Sequence, residues 1–331
     1  MTTRNAHAIQ MRNYGPPEVL TYAQISLPPL EPGEVRIRTI AAAVNHTDLE
    51  IRVGNWPVTK AVPFPYVPGV EVIGDIEEVG ESVNDIRRGD RVITMMQGLG
   101  GVRAERSGSY AEYVTVAVAA VAPVPSGIDP YDMAAIGLVG VTAYEGLRRI
   151  GPLAGRRVVV TGAAGGIGSA ATAIARAENA SVLGLVASPE QVDYVRALGA
   201  DDVIVTPKDG PLTSLQPESV DGVLDAVGGN LFGPCVEALR STGVLSLVGA
   251  VAGGDVRFDA WQLTRPVTLT GYSSESLDGL ALRNAVTALA GWLASGAIKP
   301  AARTIVPLAK AAHAHALLER GGITGRVLLV P

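Results

Sequence analysis

The sequence predicts an α/β chain: a β-rich first domain followed by a doubly wound, parallel, six-stranded sheet. Three observations carry this expectation. Prolines and turn dipeptides crowd the first third of the chain. Beyond about residue 129, short apolar runs alternate with stretches of helical spacing. One of those runs ends in a glycine-rich turn that opens a helix.

In the first third, Glu34-Val35-Arg36-Ile37-Arg38 alternates polar and apolar side chains, as in a strand with one buried face. Pro32-Gly33, Pro68-Gly69 and Arg88-Gly89-Asp90 mark turns, and Pro16, Pro17, Pro28, Pro29, Pro57, Pro63 and Pro65 exclude long helices. A small antiparallel barrel or sandwich fits this pattern. From Asp132 to Arg149 the spacing becomes helical. The apolar runs then follow: Val158–Val160, Val182–Val186, Val203–Val205, Gly222–Leu224, Val244–Val248 and Val267–Thr270. Helical stretches at Gly168–Glu178, Pro189–Leu198 and Leu231–Arg240 separate most of them. Such alternation means βαβ units and a sheet covered on both faces. The tail holds two helical patterns and a strand at Arg326–Val330, and is expected to return to the first domain. The expected division is 1–126 with 272–331, and 127–271.

The 331 residues are 47% apolar and 18% charged, enough for two packed cores. A net charge of -5 without a basic stripe argues against nucleic acid as a partner. A single cysteine, Cys235, rules out an intrachain disulfide and any multi-cysteine zinc site. The longest apolar stretch, Val114 to Ala122, is far short of the ~20 residues of a membrane helix. No apolar segment follows Met1-Thr2-Thr3-Arg4-Asn5, so no secretory leader is read and a cytoplasmic location is expected.

The most informative segment is Val158-Val159-Val160-Thr161-Gly162-Ala163-Ala164-Gly165-Gly166-Ile167-Gly168-Ser169. The strict G-x-G-x-x-G form is absent; Gly162 precedes Ala163-x-Gly165-x-x-Gly168. Gly165 lets backbone approach a pyrophosphate, Gly168 lets the helix pack closely, and the helix N-terminus offers free N–H groups. A dinucleotide cofactor is therefore expected, held in a Rossmann arrangement. The second strand ends Val186-Ala187-Ser188 with no carboxylate at its tip, and Glu190 comes slightly late. This favours NADPH over NADH, although Pro189-Glu190-Gln191 supplies no cation. Arg196 and Lys208 are the candidates to pair with a 2′-phosphate.

Pro68-Gly69-Val70-Glu71-Val72-Ile73-Gly74, Val79-Gly80 and Gly89-Asp90-Arg91-Val92 resemble the catalytic domain of the medium-chain dehydrogenases/reductases. Leu198-Gly199-Ala200-Asp201, Asp225-Ala226-Val227-Gly228-Gly229 and Gly325-Arg326-Val327-Leu328-Leu329 look like the remainder of that family's pattern. The resemblance runs in order along nearly the whole chain and is greatest to the zinc-free quinone oxidoreductase (zeta-crystallin-like) branch. It implies a GroES-like first domain, a Rossmann second domain and a homo-oligomer, dimer or tetramer. It also implies that Gly140-Val141-Thr142-Ala143 approaches the nicotinamide. The cofactor contacts expected are Thr142, Gly162, Ala163, Gly165, Gly166, Ile167, Gly168, Ser188, Gln191, Val227 and Gly249.

Zinc enzymes of this family keep a Cys before a His-Thr-Asp-like triplet and a His between the Gly and Glu of the later motif. Here those positions are Asn45, before His46-Thr47-Asp48, and Val70, between Gly69 and Glu71. His313 and His315 point to different faces of a helix, and His7 is isolated, so no zinc is expected. Hydride delivery to a simple ketone makes an alkoxide, which needs a Lewis acid or a strong donor. Delivery to a quinone or an enone makes a delocalised, less basic anion. The expected substrates are therefore small conjugated carbonyls or quinones.

The catalytic candidates are Asn45 and Thr47. Asn45 either donates to the substrate carbonyl or stabilises a turn; Thr47 sits where zinc enzymes keep a proton-relay hydroxyl. Asp48 is read as the cap of a helix starting near Leu49. Trp56 stands where many quinone reductases have Tyr, and serves as a stacking wall or as plain packing; Tyr66 is the second candidate for substrate contact. Glu71 is read as structural. The competing functions are an enoyl-thioester reductase, a zinc alcohol dehydrogenase and an NADPH-binding module without turnover.

Overall fold

The computed structural model describes residues 4–56, 64–96, 99, 106–207, 212–299, 301–321 and 323–331. The chain divides into two compact units: Met1–Leu138, Ser274–Ala294 and Ala302–Pro331 form one, and Val139–Ser273 with Ser295–Ala301 the other.

In chain order the first unit begins with β1 (Arg4–Gln10), β2 (Thr21–Leu27), β3 (Glu34–Val44), α1 (His46–Val53), β4 (Glu71–Val79), β5 (Arg91–Met95), β6 (Tyr113–Ala117) and β7 (Ala122–Pro123). Helix α2 (Pro130–Ile150) leads into the second unit, which holds β8 (Arg157–Val160), α3 (Gly166–Ala177), β9 (Ser181–Val186), α4 (Val192–Ala197), β10 (Asp202–Val205), β11 (Val220–Asp225), α5 (Phe232–Ala238), β12 (Leu239–Leu247) and β13 (Thr268–Gly271). Then come α6 (Gly279–Ser295), β14 (Arg303–Pro307), α7 (Ala311–Arg320) and β15 (Arg326–Val330).

In the first unit β1 and β2 form a hairpin, and a seven-stranded sheet runs β14-β15-β3-β4-β5-β7, with β6 also on β3. Its pairs are antiparallel except β14 with β15. Val35, Ile37, Val72, Ile76, Val92, Val114 and Val116 fill one core. Over Glu34–Arg38 the alternation holds with one exception: Arg36 is buried, and its guanidinium donates to the Pro28 carbonyl and to Glu78. Strand β14 escapes sequence reading because it is an edge strand, mostly exposed and closed by Pro307, so it carries no apolar period.

The second unit is the six-stranded parallel sheet, in the order β10-β9-β8-β11-β12-β13. That is the doubly wound order, with its topological switch between β8 and β11. Val159, Leu183, Leu185, Val223, Val236 and Leu245 form its core, with the thiol of Cys235 buried among them. The strands carry near-continuous apolar runs because helices cover both faces.

Candidate active site

In the second unit, the expected cofactor residues other than Thr142 follow the carboxyl ends of β8, β9, β11 and β12. After β8, Gly162 takes φ +58, and Ala163 N–H donates to the Leu185 carbonyl at 2.9 Å, fastening the turn to β9. A Cβ on Gly168 would lie 2.1 Å from the Gly162 carbonyl oxygen, so the helix meets the turn too closely for any other residue. A Cβ on Gly165 would meet only that same oxygen, at 3.3 Å, with open space otherwise. Gly165 is the N-cap of α3 and has no side chain to close the terminus, while Gly166 and Ile167 are half-buried. The turn is a cradle of N–H groups at the positive end of a helix dipole, which fits a pyrophosphate.

Thr161 and Asp225, not singled out from sequence, stitch the switch point together. Thr161 Oγ1 donates to Asp225 Oδ1 at 2.6 Å, and the same carboxylate oxygen accepts from Val227 N–H at 2.9 Å and Gly228 N–H at 3.1 Å. The signal in the sequence was an acid closing an otherwise apolar strand. Val227 is half-buried, 2.9 Å from where a Gly162 Cβ would stand, and Gly249 abuts the Ala226 carbonyl. Thr142 is buried on α2; four residues on, Gly146 packs against Val248 and Leu224.

At the tip of β9, Gln191 Oε1 accepts the N–H groups of Ala187 and Ser188, at 3.1 and 3.3 Å, and so shapes the turn. The Ser188 hydroxyl hydrogen-bonds Glu190, holding that exposed carboxyl below the usual range. The short helical turn at Pro189–Gln191 leaves Glu190 exposed two residues past the Val186-Ala187-Ser188 end read from sequence. Lys208 lies outside the described residues.

In the first unit the candidates collect around α1. Asn45, rather than Asp48, is its N-cap, and Asp48 sits at the third helical position, where Oδ2 accepts the Asn45 backbone N–H at 2.8 Å. This is the reciprocal half of a capping box. Asn45 is buried. Its amide nitrogen donates to the Ala43 carbonyl at 3.2 Å and to Glu71 Oε2 at 3.1 Å, and its Oδ1 accepts from Arg326 Nη2 at 2.8 Å. Both amide protons are thus directed to protein acceptors, which corrects the reading of Asn45 as a donor to substrate in favour of the turn-stabilising one.

Glu71 is structural in the same sense. Oε1 accepts the Leu138 N–H at 2.5 Å, and Oε2 lies 3.4 Å from Arg326 Nη2. A Cβ on Gly137 would collide with Oε1 at 1.8 Å, so that glycine admits the carboxylate to α2. Burial raises the Glu71 carboxyl, an effect offset by Arg326 and the Leu138 N–H. Burial likewise raises Asp48, to about 7; the Asn45 N–H and Tyr110 oppose it, and Glu71 adds to it. Arg326, Tyr110 and His315 were not chosen from sequence. Only Arg326 left a trace there, a charge opening an apolar strand.

Thr47 is half-buried in the first turn of α1. Trp56, also half-buried, lies just beyond the C-cap at Gly54, and its indole N–H donates to Glu275 at 3.1 Å. Tyr66 is buried, its backbone bridged to Met11, and burial beside Asp48 raises its hydroxyl.

The pattern of the alcohol dehydrogenase GroES-like domain matches residues 31–126, and that of the zinc-binding dehydrogenases matches 198–329. An NADPH-dependent alkenal/one oxidoreductase of Arabidopsis thaliana is 32% identical, over 96% of this chain and 78% of the relative. The quinone oxidoreductase of Lama guanicoe is 31% identical, over 99% of this chain and 98% of the relative. A mycobacterial protein solved in complex with NADPH superposes with a TM-score of 0.83 at 31% identity, covering 98% of this chain and all of its own. The sheet order, the glycine cradle and this full-length similarity together make the chain a member of the medium-chain dehydrogenase/reductase family, among the quinone oxidoreductases.

Proposed function

We propose that this chain reduces quinones and α,β-unsaturated carbonyl compounds with NADPH and without a catalytic metal. One observation carries the reading. At the two positions where zinc relatives keep ligands stand Asn45, whose amide protons go to protein acceptors, and Val70, which is wholly buried and apolar. Neither supplies the thiolate or imidazole that a catalytic zinc requires. The positive charge at this place is the guanidinium of Arg326, between Asn45 and Glu71. The donor set does not fit the metal for which one matching family pattern is named.

NADPH supplies a hydride when bound. The uncapped turn Gly165–Gly168 holds its pyrophosphate, and Ser188 and Gln191 face its ribose. Support for the 2′-phosphate form comes from the NADPH named for the relatives. The acceptor lies against Trp56, whose indole N–H is taken by Glu275, and against Tyr66. Hydride arrives at carbon, the developing enolate or phenolate is delocalised, and a proton reaches oxygen from the Thr47 hydroxyl or solvent. In the same reading the protein is a cytoplasmic homo-oligomer that meets a small molecule and neither nucleic acid nor membrane. Among the described residues no helix is long and apolar enough to cross a membrane.

The test follows NADPH absorbance with a quinone, an enone, a crotonyl thioester and a saturated ketone, beside metal analysis of the purified protein. Turnover of the first two without stoichiometric zinc is expected. Turnover of the saturated ketone with bound zinc, or none with any acceptor, overturns the proposal.

A further inference from the structure

Behind the N-terminus of α1 lies a buried set of groups that the proposed chemistry does not use. Arg52, one turn along α1 from Asp48, places Nη1 3.3 Å from His315 Nδ1 on α7, and His315 Nε2 lies 3.1 Å from the Tyr110 hydroxyl. The Asp48 carboxylate lies close enough to raise the Tyr110 hydroxyl, but its Oδ1 has no hydrogen-bond partner. Asp48, Tyr110 and His315 are fully buried, and Arg52 is 1% exposed. Arg52 is held further by Glu319 and by the Gly15 carbonyl.

Hydrogen-bond chemistry gives this set one direction. A guanidinium only donates, so His315 Nδ1 must accept. The neutral imidazole then carries its proton on Nε2 and donates to the Tyr110 oxygen. Burial and the charge of Arg52 push His315 down to about 3, so the imidazole stays neutral throughout the working range. Burial and Asp48 keep Tyr110 protonated. The path runs from α1 through α7 to the Tyr110 segment.

We propose that Tyr110 and His315 are positioning residues: with Arg52 they form a one-way hydrogen-bond relay that ties α1 to α7 and the Tyr110 segment and so fixes Thr47 and the start of the Trp56 segment. An ion pair made within the helix would leave α1 free to turn; routing the Arg52 bond through α7 to Tyr110 ties three elements together. This inference rests on the reading of Thr47 and Trp56 as acceptor-facing, and its first test does not.

Nitrogen-15 NMR of histidine-labelled full-length protein reads the tautomer. The expected result is His315 with its proton on Nε2 and no titration from about pH 5 to 8. A proton on Nδ1, or titration near 6.5, overturns the relay whether or not the protein reduces quinones. The second test compares H315L, H315Q and Y110F in steady-state reduction of 1,4-benzoquinone. Glutamine replaces both contacts, with Oε1 accepting from Arg52 and Nε2 donating to Tyr110. Expected are a kcat lowered about tenfold in H315L and Y110F, recovery to within about threefold in H315Q, and an unchanged Kd for NADPH. If H315Q is as impaired as H315L, or Y110F keeps wild-type kcat, the positioning role is refuted. Should H315L fail to fold, Y110F and H315Q decide. A wild-type protein inert to quinones whose His315 shows the expected tautomer refutes the proposed function and leaves the relay standing.

Discussion

Two alanine substitutions three residues apart, Gly165→Ala and Gly168→Ala, separate the cofactor seat from the fold that carries it. At Gly168 the new Cβ would stand 2.1 Å from the Gly162 oxygen and 2.7 Å from the Ala163 Cα, where ordinary contact begins near 3.4 Å. Both neighbours are backbone, so turn and helix must part by about 1.3 Å, the difference between 3.4 and 2.1 Å. Overpacking of this kind costs about 1–3 kcal/mol, against up to ~1 kcal/mol returned by alanine in a helix. G168A is thus expected to lose about 1–2 kcal/mol of stability, and a displacement near 1 Å at the phosphates lowers kcat/KM about a hundredfold. At Gly165 the backbone has φ −76, which alanine adopts freely, and the only close neighbour is at 3.3 Å. G165A is expected to melt at or slightly above the wild-type temperature, because alanine restricts the unfolded chain. Its methyl group nevertheless stands over the uncapped N–H groups, and the Kd for NADPH should rise at least about tenfold. Urea denaturation and titration of NADPH fluorescence measure the two effects separately. A G165A protein that binds NADPH within twofold of wild type would refute the assignment of the pyrophosphate to this turn.

Other substitutions probe the first unit and the ribose tip. Asp48 rises from an ordinary 3.8 to about 7 on folding, so stability present below pH 4 is lost as pH climbs through 7. At ~1.4 kcal/mol per pH unit this is at most about 4 kcal/mol. Asp48→Asn should flatten the urea-melt stability between pH 4 and 7, and a slope equal to wild type would contradict the burial argument. Arg326→Met strands Glu71 and should cost about 3–5 kcal/mol, reduced in the Glu71→Gln/Arg326→Met double variant. Additive losses would show that the two residues are independent. Glu190 faces Ser188 at the tip of β9 and opposes a 2′-phosphate, so Glu190→Gln should raise kcat/KM for NADPH over NADH about two- to fivefold at low salt, less at high salt. An unchanged ratio would remove Glu190 from cofactor selection.

The sequence alone determined the parallel sheet and its cofactor turn, because both rest on local rules. Apolar runs such as Val182–Val186 are continuous where helices cover a sheet on both faces, and Gly162–Gly168 follows from what a strand-to-helix turn around a phosphate needs. The sequence equally shows Asn45 and Val70 at the positions where zinc relatives keep ligands, side chains that offer neither thiolate nor imidazole. Tertiary structure decided what the polar residues do. Asn45 looked free to meet substrate until Glu71, 26 residues on, and Arg326, 281 residues on, were brought to its amide. His315 read as an ordinary core or surface histidine until α7 placed it between Arg52 and Tyr110. Glu190 comes slightly late in the chain, and only the fold shows that it stays exposed with its carboxyl lowered by Ser188. A hydrogen bond needs two partners at a fixed distance and angle, and no period in the sequence records where a distant partner will stand.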